Sequence, residues 1–167
     1  IQHPWILSEK ILRAVDFFAF NLHNAKLPAY KGHNSMSHAI LNREKTYTTT
    51  IHWIASRVDM GDIAFEKSMD ISERETAFSL YQKCLPLAVG NFRDLVLHLV
   101  DNRTIPRIPI LTEGKFYKKT EINELKRISS PIDFDEVDLK SRAFYFPPHE
   151  PAYYLIAGRR VYPSTIP

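Results

Sequence analysis

The sequence reads as an open α/β sheet followed by a small α+β tail that ends in a β-hairpin. Over the first hundred residues, short β-branched and aromatic runs alternate with helical periodicities. After Asn102 the composition turns to Pro106, Pro109, Gly114 and a charged stretch. Two tyrosine-rich segments then flank Ala157-Gly158, a two-residue hairpin signal.

The elements follow in order. Ser8-Glu9-Lys10 caps a short helix through about Ala14, and the aromatic run Phe17 to Leu22 reads as a buried strand. A Pro/Gly-punctuated loop runs from His23 to Asn34. A short helix is expected over Ser35 to Arg43 and a second strand over Tyr47 to Ala55, which is rich in Thr, Ile and Trp. Val58 to Asp62 is a turn and Ile63 to Met69 a third strand. Ser72 with Glu75 predicts a capping box opening the longest helix, roughly Glu73 to Val100. Its apolar stripe is read as Ala77, Tyr81, Cys84, Ala88, Phe92, Leu95 and Leu99, with a kink at Pro86. Two regions are expected: 1–102, the main domain, and 103–167, a linker that leaves it plus a small region with the hairpin at 152–162. A lone hairpin is marginal in water, so its tyrosines predict self-association.

Length and composition bound the function. At 167 residues and 44% hydrophobic content the chain supports one compact domain with a sizeable core. The net charge of +3 is mild and the Lys/Arg residues are scattered, which fits a small anionic molecule better than nucleic acid. No apolar run approaches the ~18 residues of a membrane span. The single cysteine, Cys84, leaves no internal disulfide and fits a reducing, cytoplasmic setting. The start, Ile-Gln-His-Pro-Trp, lacks both an initiator Met and a signal peptide, so the chain is expected to begin partway through a larger protein.

The chemistry concentrates around residues 20–34. In a strand, side chains two apart share a face, so Asn21 and His23 converge where the apolar run gives way to a loop. Asn21 offers an amide donor for a developing oxyanion, and Asp59, in the turn after the next strand, can orient or protonate the imidazole. Carboxamide, imidazole and carboxylate make an acyl-transfer set. No Gly-x-Ser-x-Gly elbow is present and Cys84 sits on the helix stripe, so the attacking group is expected to come from substrate. The other histidines read as structural: His38 on a short helix, His52 within a strand, His98 near a helix end. No histidine spacing makes a metal site.

These residues resemble the 10-formyltetrahydrofolate-dependent formyltransferases. The resemblance rests on Asn21-Leu-His23, on the Leu-Pro-x-Tyr-x-Gly run at Leu27 to Gly32, and on Asp59-Met-Gly61-Asp62-Ile63, in register across about Trp5 to Val100. It implies that Asn21, His23 and Asp59 are the catalytic trio. An amine attacks the formyl carbon of 10-formyltetrahydrofolate, Asn21 and protonated His23 stabilise the oxyanion, and Asp59 holds His23 and helps proton transfer. It also implies that backbone near Trp5, Ile6 and Leu7, with Val58 and Asp62 of the turn, cradles the pterin. The implied fold is a formyltransferase-type, Rossmann-like open sheet whose first strands are absent from this chain.

The run after His23, Asn24-Ala25-Lys26 and Tyr30-Lys31-Gly32-His33-Asn34, looks like that of the sugar N-formyltransferases. These formylate the amine of a nucleotide-linked amino-deoxysugar. On that likeness Lys26 and Lys31 meet a pyrophosphate and Tyr30 or Asn34 the sugar. The favoured acceptor is a dTDP-linked amino-dideoxysugar for surface polysaccharide such as O-antigen. The segment from Arg142 through the hairpin is similar to that subfamily's tail, which serves homodimerisation. The tRNA, glycinamide ribonucleotide and hydrolase relatives share the trio and stand as alternatives, as does a non-catalytic interaction domain.

Overall fold

The computed structural model describes residues 7–164. The elements are α1 (Glu9–Ala14), β1 (Phe20–His23), β2 (Lys31–Gly32), α2 (Ser35–Leu41), β3 (Thr46–Trp53), β4 (Ile63–Asp70) and α3 (Ala77–Val100). There follow β5 (Phe116–Tyr117), a 3-10 turn (Lys119–Glu121), α4 (Ile122–Leu125), α5 (Phe134–Phe144), β6 (Tyr154–Ile156) and β7 (Arg159–Val161). They fall into two compact units. One holds the described residues to Gly32 with Tyr47–Met69 and Cys84–Phe116; the other holds His33–Thr46, Asp70–Lys83 and the chain from Tyr117 on.

In the first unit the sheet order is β1-β3-β4, with the Thr- and Ile-rich β3 central and buried along nearly its whole length. β1 pairs antiparallel with β3, placing Phe20 opposite Trp53, Asn21 opposite His52, Leu22 opposite Ile51 and His23 opposite Thr50. Strand alternation then sorts the side chains. Phe20 and Leu22 pack against a core of Ile51, Trp53, Ala64, Leu95 and Ile105, whereas Asn21, His23 and His52 share the other face. The strand begins later than its composition suggests. Asp16 and Phe17 take positive φ (48° and 55°) and Phe18 is more than half exposed, so the start of the aromatic run is a turn rather than buried strand.

Residues 103–116, expected to leave the main domain, stay on this unit. Ile105 is buried, Trp53 Nε1 donates to the Pro106 carbonyl at 2.8 Å, the Arg107 guanidinium stacks 3.5 Å over the Trp53 ring, and Ile63 bridges Ile108. A buried indole N–H needs an acceptor, and the Pro-rich segment supplies it. β2 and β5 form a two-stranded ribbon, beside which Lys31 N–H reaches the Lys115 carbonyl at 2.9 Å.

The second unit packs α2 against α5. α5 has no counterpart in the expectations above; its N-cap, Asp133, accepts from the Glu136 amide at 3.0 Å. The long helix opens four residues later than expected. Thr76 and Ser79 cap it reciprocally, each amide donating to the other's hydroxyl at 2.9 and 3.0 Å. Glu75 is committed instead to Ser72, Ser79 and Lys83. Along α3 the buried line is Ala77, Leu80, Cys84, Ala88, Asn91 and Leu95; Phe92 and Leu99, assigned to it above, are exposed. The helix runs through Pro86. β6 and β7 form the expected hairpin, closed by Ala157 and Gly158 at φ 47° and 76°.

Candidate active site

Three local features bring Asn21, His23 and Asp59 together. β1 aims the first two across one sheet face. The 54–62 turn returns over the end of β3, closed by Trp53 N–H donating to the Asp62 carbonyl at 2.8 Å. Asp59 takes φ 53°, a left-handed conformation that Asp tolerates better than most residues. Its carboxylate sits 3.9 Å from His23 Nδ1 through Oδ2 and 3.6 Å from His52 Nε2 through Oδ1, and Oδ2 accepts from Gly32 N–H at 2.9 Å. The 23–34 loop thus closes back onto the trio through Gly32.

The hydrogen bonds fix proton positions. His23 Nε2 lies 2.7 Å from the Tyr30 carbonyl, which can only accept, so Nε2 carries a hydrogen and Nδ1 faces Asp59. Burial pushes the Asp59 pKa up, but the His52 imidazole, the positive charge on His23 and the Gly32 N–H outweigh it and hold the group at about 2. Asp59 is therefore an anion at any working pH. This geometry supports a carboxylate holding an imidazole that exchanges a proton, next to an amide donor.

Gly61 makes the turn possible. A Cβ there would sit 1.7 Å from the Trp53 carbonyl oxygen and 2.7 Å from its carbon, both backbone atoms of the central strand. Gly61→Ala should therefore cost about 1–3 kcal/mol, the usual size of an overpacking substitution. Thermal melting checks it, and an unchanged midpoint would show that the turn relaxes without strain.

The remaining expected residues are placed unevenly. Tyr30 is buried and meets His23 Nε2 through its backbone carbonyl. Lys31 is also buried, with Nζ resting 3.2 Å from the Met60 thioether, a weak acceptor. Lys26 is exposed. Asn34 belongs to the second unit, where it precedes α2 at φ 55°. Val58 is 41% exposed beside buried Asp59, an apolar side chain open to a flat ligand; Leu7 and Asp62 are partly buried, and Trp5 and Ile6 lie outside the described residues. A groove of about 430 Å³ in the second unit, lined in part by Arg43, Lys45, Arg74 and Arg142, contains none of the trio. Among the described residues no group of His, Cys, Asp and Glu could hold a metal, and no helix is long and apolar enough to cross a membrane.

His52 was read above as an ordinary strand residue. It is buried, its Nε2 lies 3.2 Å from Asn21 Nδ2, and its Nδ1 lies 2.8 Å from the Trp53 carbonyl. Only the β1–β3 register puts it opposite Asn21, and nothing in local sequence states a register.

GDP-perosamine N-formyltransferase of Brucella melitensis is 28% identical over 96% of this chain, which spans 61% of that protein's length. A 4-N formyltransferase from Francisella tularensis superposes with a TM-score of 0.85 at 21% identity, over 97% of this chain and 66% of that one. The N-formyltransferase of Helicobacter canadensis, solved with folinic acid and dTDP-3-aminofucose, gives a TM-score of 0.65 at 27% identity, over 76% of this chain and 47% of that one. The fold is thus that of the formyltransferases, of which this chain carries a part. Residues 3–92, which hold Asn21, His23, His52 and Asp59, match the formyl transferase family, and the chain belongs to it.

Proposed function

We propose that this chain forms the catalytic part of a sugar N-formyltransferase, which moves the formyl group of 10-formyltetrahydrofolate to the amine of a nucleotide-linked amino-dideoxysugar. The observation that carries the reading is the convergence of Asn21, His23 and Asp59 on one buried face inside the family-matching segment. The folate supplies the activated one-carbon group. The protein supplies position and charge. Asn21 Nδ2 donates to the formyl oxygen as negative charge grows there, and His23, protonated at Nδ1 against Asp59, adds a second positive influence. As the amine bonds to the formyl carbon it loses a proton to the Asp59 carboxylate, which returns it to the folate nitrogen as that nitrogen's bond to the formyl carbon breaks, while His23 stays protonated. The open apolar Val58, next to the buried carboxylate, fits a pterin edge, and Leu7 and Asp62 are assigned to the same cradle.

The acceptor is assigned on the relatives and on charge. Two of those described above are named for, or solved with, a GDP- and a dTDP-linked amino sugar, and dTDP is our choice, in a cytoplasmic route to surface polysaccharide. Lys31 is the residue we assign to the pyrophosphate, because a buried ammonium on a thioether gains most from an anion. Lys26, Tyr30 and Asn34 are assigned to the same substrate. The exposed Leu155, Ile156, Val161 and Tyr162 of the hairpin support a homodimer through that element.

The test is tetrahydrofolate release by the full-length protein with dTDP-4-amino-4,6-dideoxyglucose, its 3-amino isomer, a GDP-linked amino sugar, and no acceptor. Turnover that requires one of the sugars supports the reading, and equal release without acceptor would make the protein a hydrolase. Lys31→Ala should raise KM for the nucleotide sugar about 10–100-fold, the loss of one charge-assisted contact, with a smaller change in kcat. An unchanged KM would remove Lys31 from the anion site.

A further inference from the structure

His52 touches two members of the trio at once. Its Nε2 lies 3.2 Å from Asn21 Nδ2 and 3.6 Å from Asp59 Oδ1, and the side chain is 3% exposed. The other ring nitrogen settles the tautomer. Nδ1 lies 2.8 Å from the Trp53 carbonyl, which can only accept, so the neutral ring carries its hydrogen on Nδ1 and presents a lone pair at Nε2. That lone pair accepts one hydrogen of the Asn21 carboxamide. An amide turned the other way would set Asn21 Oδ1 against the same lone pair, oxygen to nitrogen, with no hydrogen between them. The Nδ1–H tautomer therefore selects the rotamer of Asn21 in which Nδ2 faces His52, leaving the second Nδ2 hydrogen for another acceptor.

Nε2 serves only one neighbour at a time. With a lone pair it accepts from Asn21; with a proton it donates to Asp59 and repels the amide. The groups that face it are Asn21 from β1, Asp59 from the turn and, beyond that carboxylate, His23. With Nε2 unprotonated Asp59 keeps Gly32 N–H and His23 and gives up the His52 hydrogen bond that otherwise helps hold it ionised; with Nε2 protonated Asn21 loses its acceptor, so the orientation of Asn21 depends on His52.

We propose that His52 is a positioning residue of the transfer site, its unprotonated Nε2 holding the Asn21 carboxamide with an N–H directed at the reacting oxygen. This rests on the formyl-transfer reading of the trio. His52 does not touch the reacting atoms and acts through Asn21.

The experiment combines kinetics with a spectrum of the full-length protein. His52→Leu should lower kcat by about 10²-fold, the size of one lost oxyanion donor, with both KM values within about threefold of wild type. His52→Gln, whose Oε1 reaches the place of Nε2 as an acceptor, should recover most of that loss. In an Asn21→Ala background His52→Leu should cost less than about threefold more, since the residue through which it acts is gone. Long-range ¹H–¹⁵N spectra at pH 8 should show His52 as the Nδ1–H tautomer, with Nε2 shifted by Asn21→Ala. An Nε2–H tautomer, additive losses, or a Gln variant no better than Leu would each overturn the inference. Should His52→Leu fail to fold, the Gln variant and the spectrum decide. If the wild type formylates no amino sugar, the assigned function fails, while the tautomer still shows whether His52 holds Asn21.

Discussion

Replacing His23 with alanine is expected to lower kcat for formyl transfer by about 10²–10⁴-fold, the range for a positioned general acid/base, while KM for the folate changes little. The expectation follows from where the ring is held. Both nitrogens are engaged within a buried site, Nε2 by the Tyr30 carbonyl at 2.7 Å and Nδ1 toward Asp59 at 3.9 Å. A water filling the space in the variant has no fixed orientation and places no positive charge against Asp59. The gap between Nδ1 and Oδ2 exceeds a hydrogen bond, and such contacts commonly tighten only when substrate excludes water. The substitution also strips a buried carboxylate of one partner, so activity is compared only after melting shows a folded variant. A His23→Ala enzyme retaining more than a third of wild-type kcat would dismiss the catalytic role and favour a binding domain.

Much of this site was legible in the sequence because it is local. Asn21 and His23 share a face by strand alternation alone, and Asp59 declares itself in a Gly-containing turn. The central strands 46–53 and 63–70 follow from composition, and the terminal hairpin from its two-residue turn. What escaped depends on distant partners. His52 matters because β1 pairs with β3 in one register, and a shift of one residue would turn its side chain to the core. The start of α3 moved because two overlapping capping signals compete. Ser72 and Glu75 match the usual spacing, but Thr76 and Ser79 satisfy each other's amides while Lys83 and Ser79 draw the Glu75 carboxylate away. The Pro-rich 103–116 segment looks like a linker by composition, yet the Trp53 N–H requires a carbonyl and finds it at Pro106. Phe17 reads as strand by propensity and is turned aside by a local left-handed bend.

Asp59→Asn should lower kcat by about 10²–10⁴-fold with little effect on the fold at neutral pH. Asparagine tolerates the φ of 53° and keeps an oxygen for the Gly32 amide, so the turn survives and only the charge is lost. Without that charge nothing holds a proton on His23 Nδ1, and the carboxylate that carries the amine's proton to the folate nitrogen is gone. Because the wild-type carboxylate titrates at about 2, below its ordinary 3.8, any acidic limb in the wild-type rate above pH 4 belongs to other groups. The same shift makes an independent prediction about stability. A carboxyl held below its unfolded pKa contributes stability that is fully present above about 3.8 and disappears as the pH falls through about 2. Wild-type protein should therefore lose stability more steeply than Asp59→Asn between pH 4 and pH 2, measured by circular dichroism in urea at fixed pH values. Parallel curves would mean that Asp59 is not held ionised by its neighbours. A catalytic loss with parallel curves would separate the role of its charge in the reaction from its role in the fold.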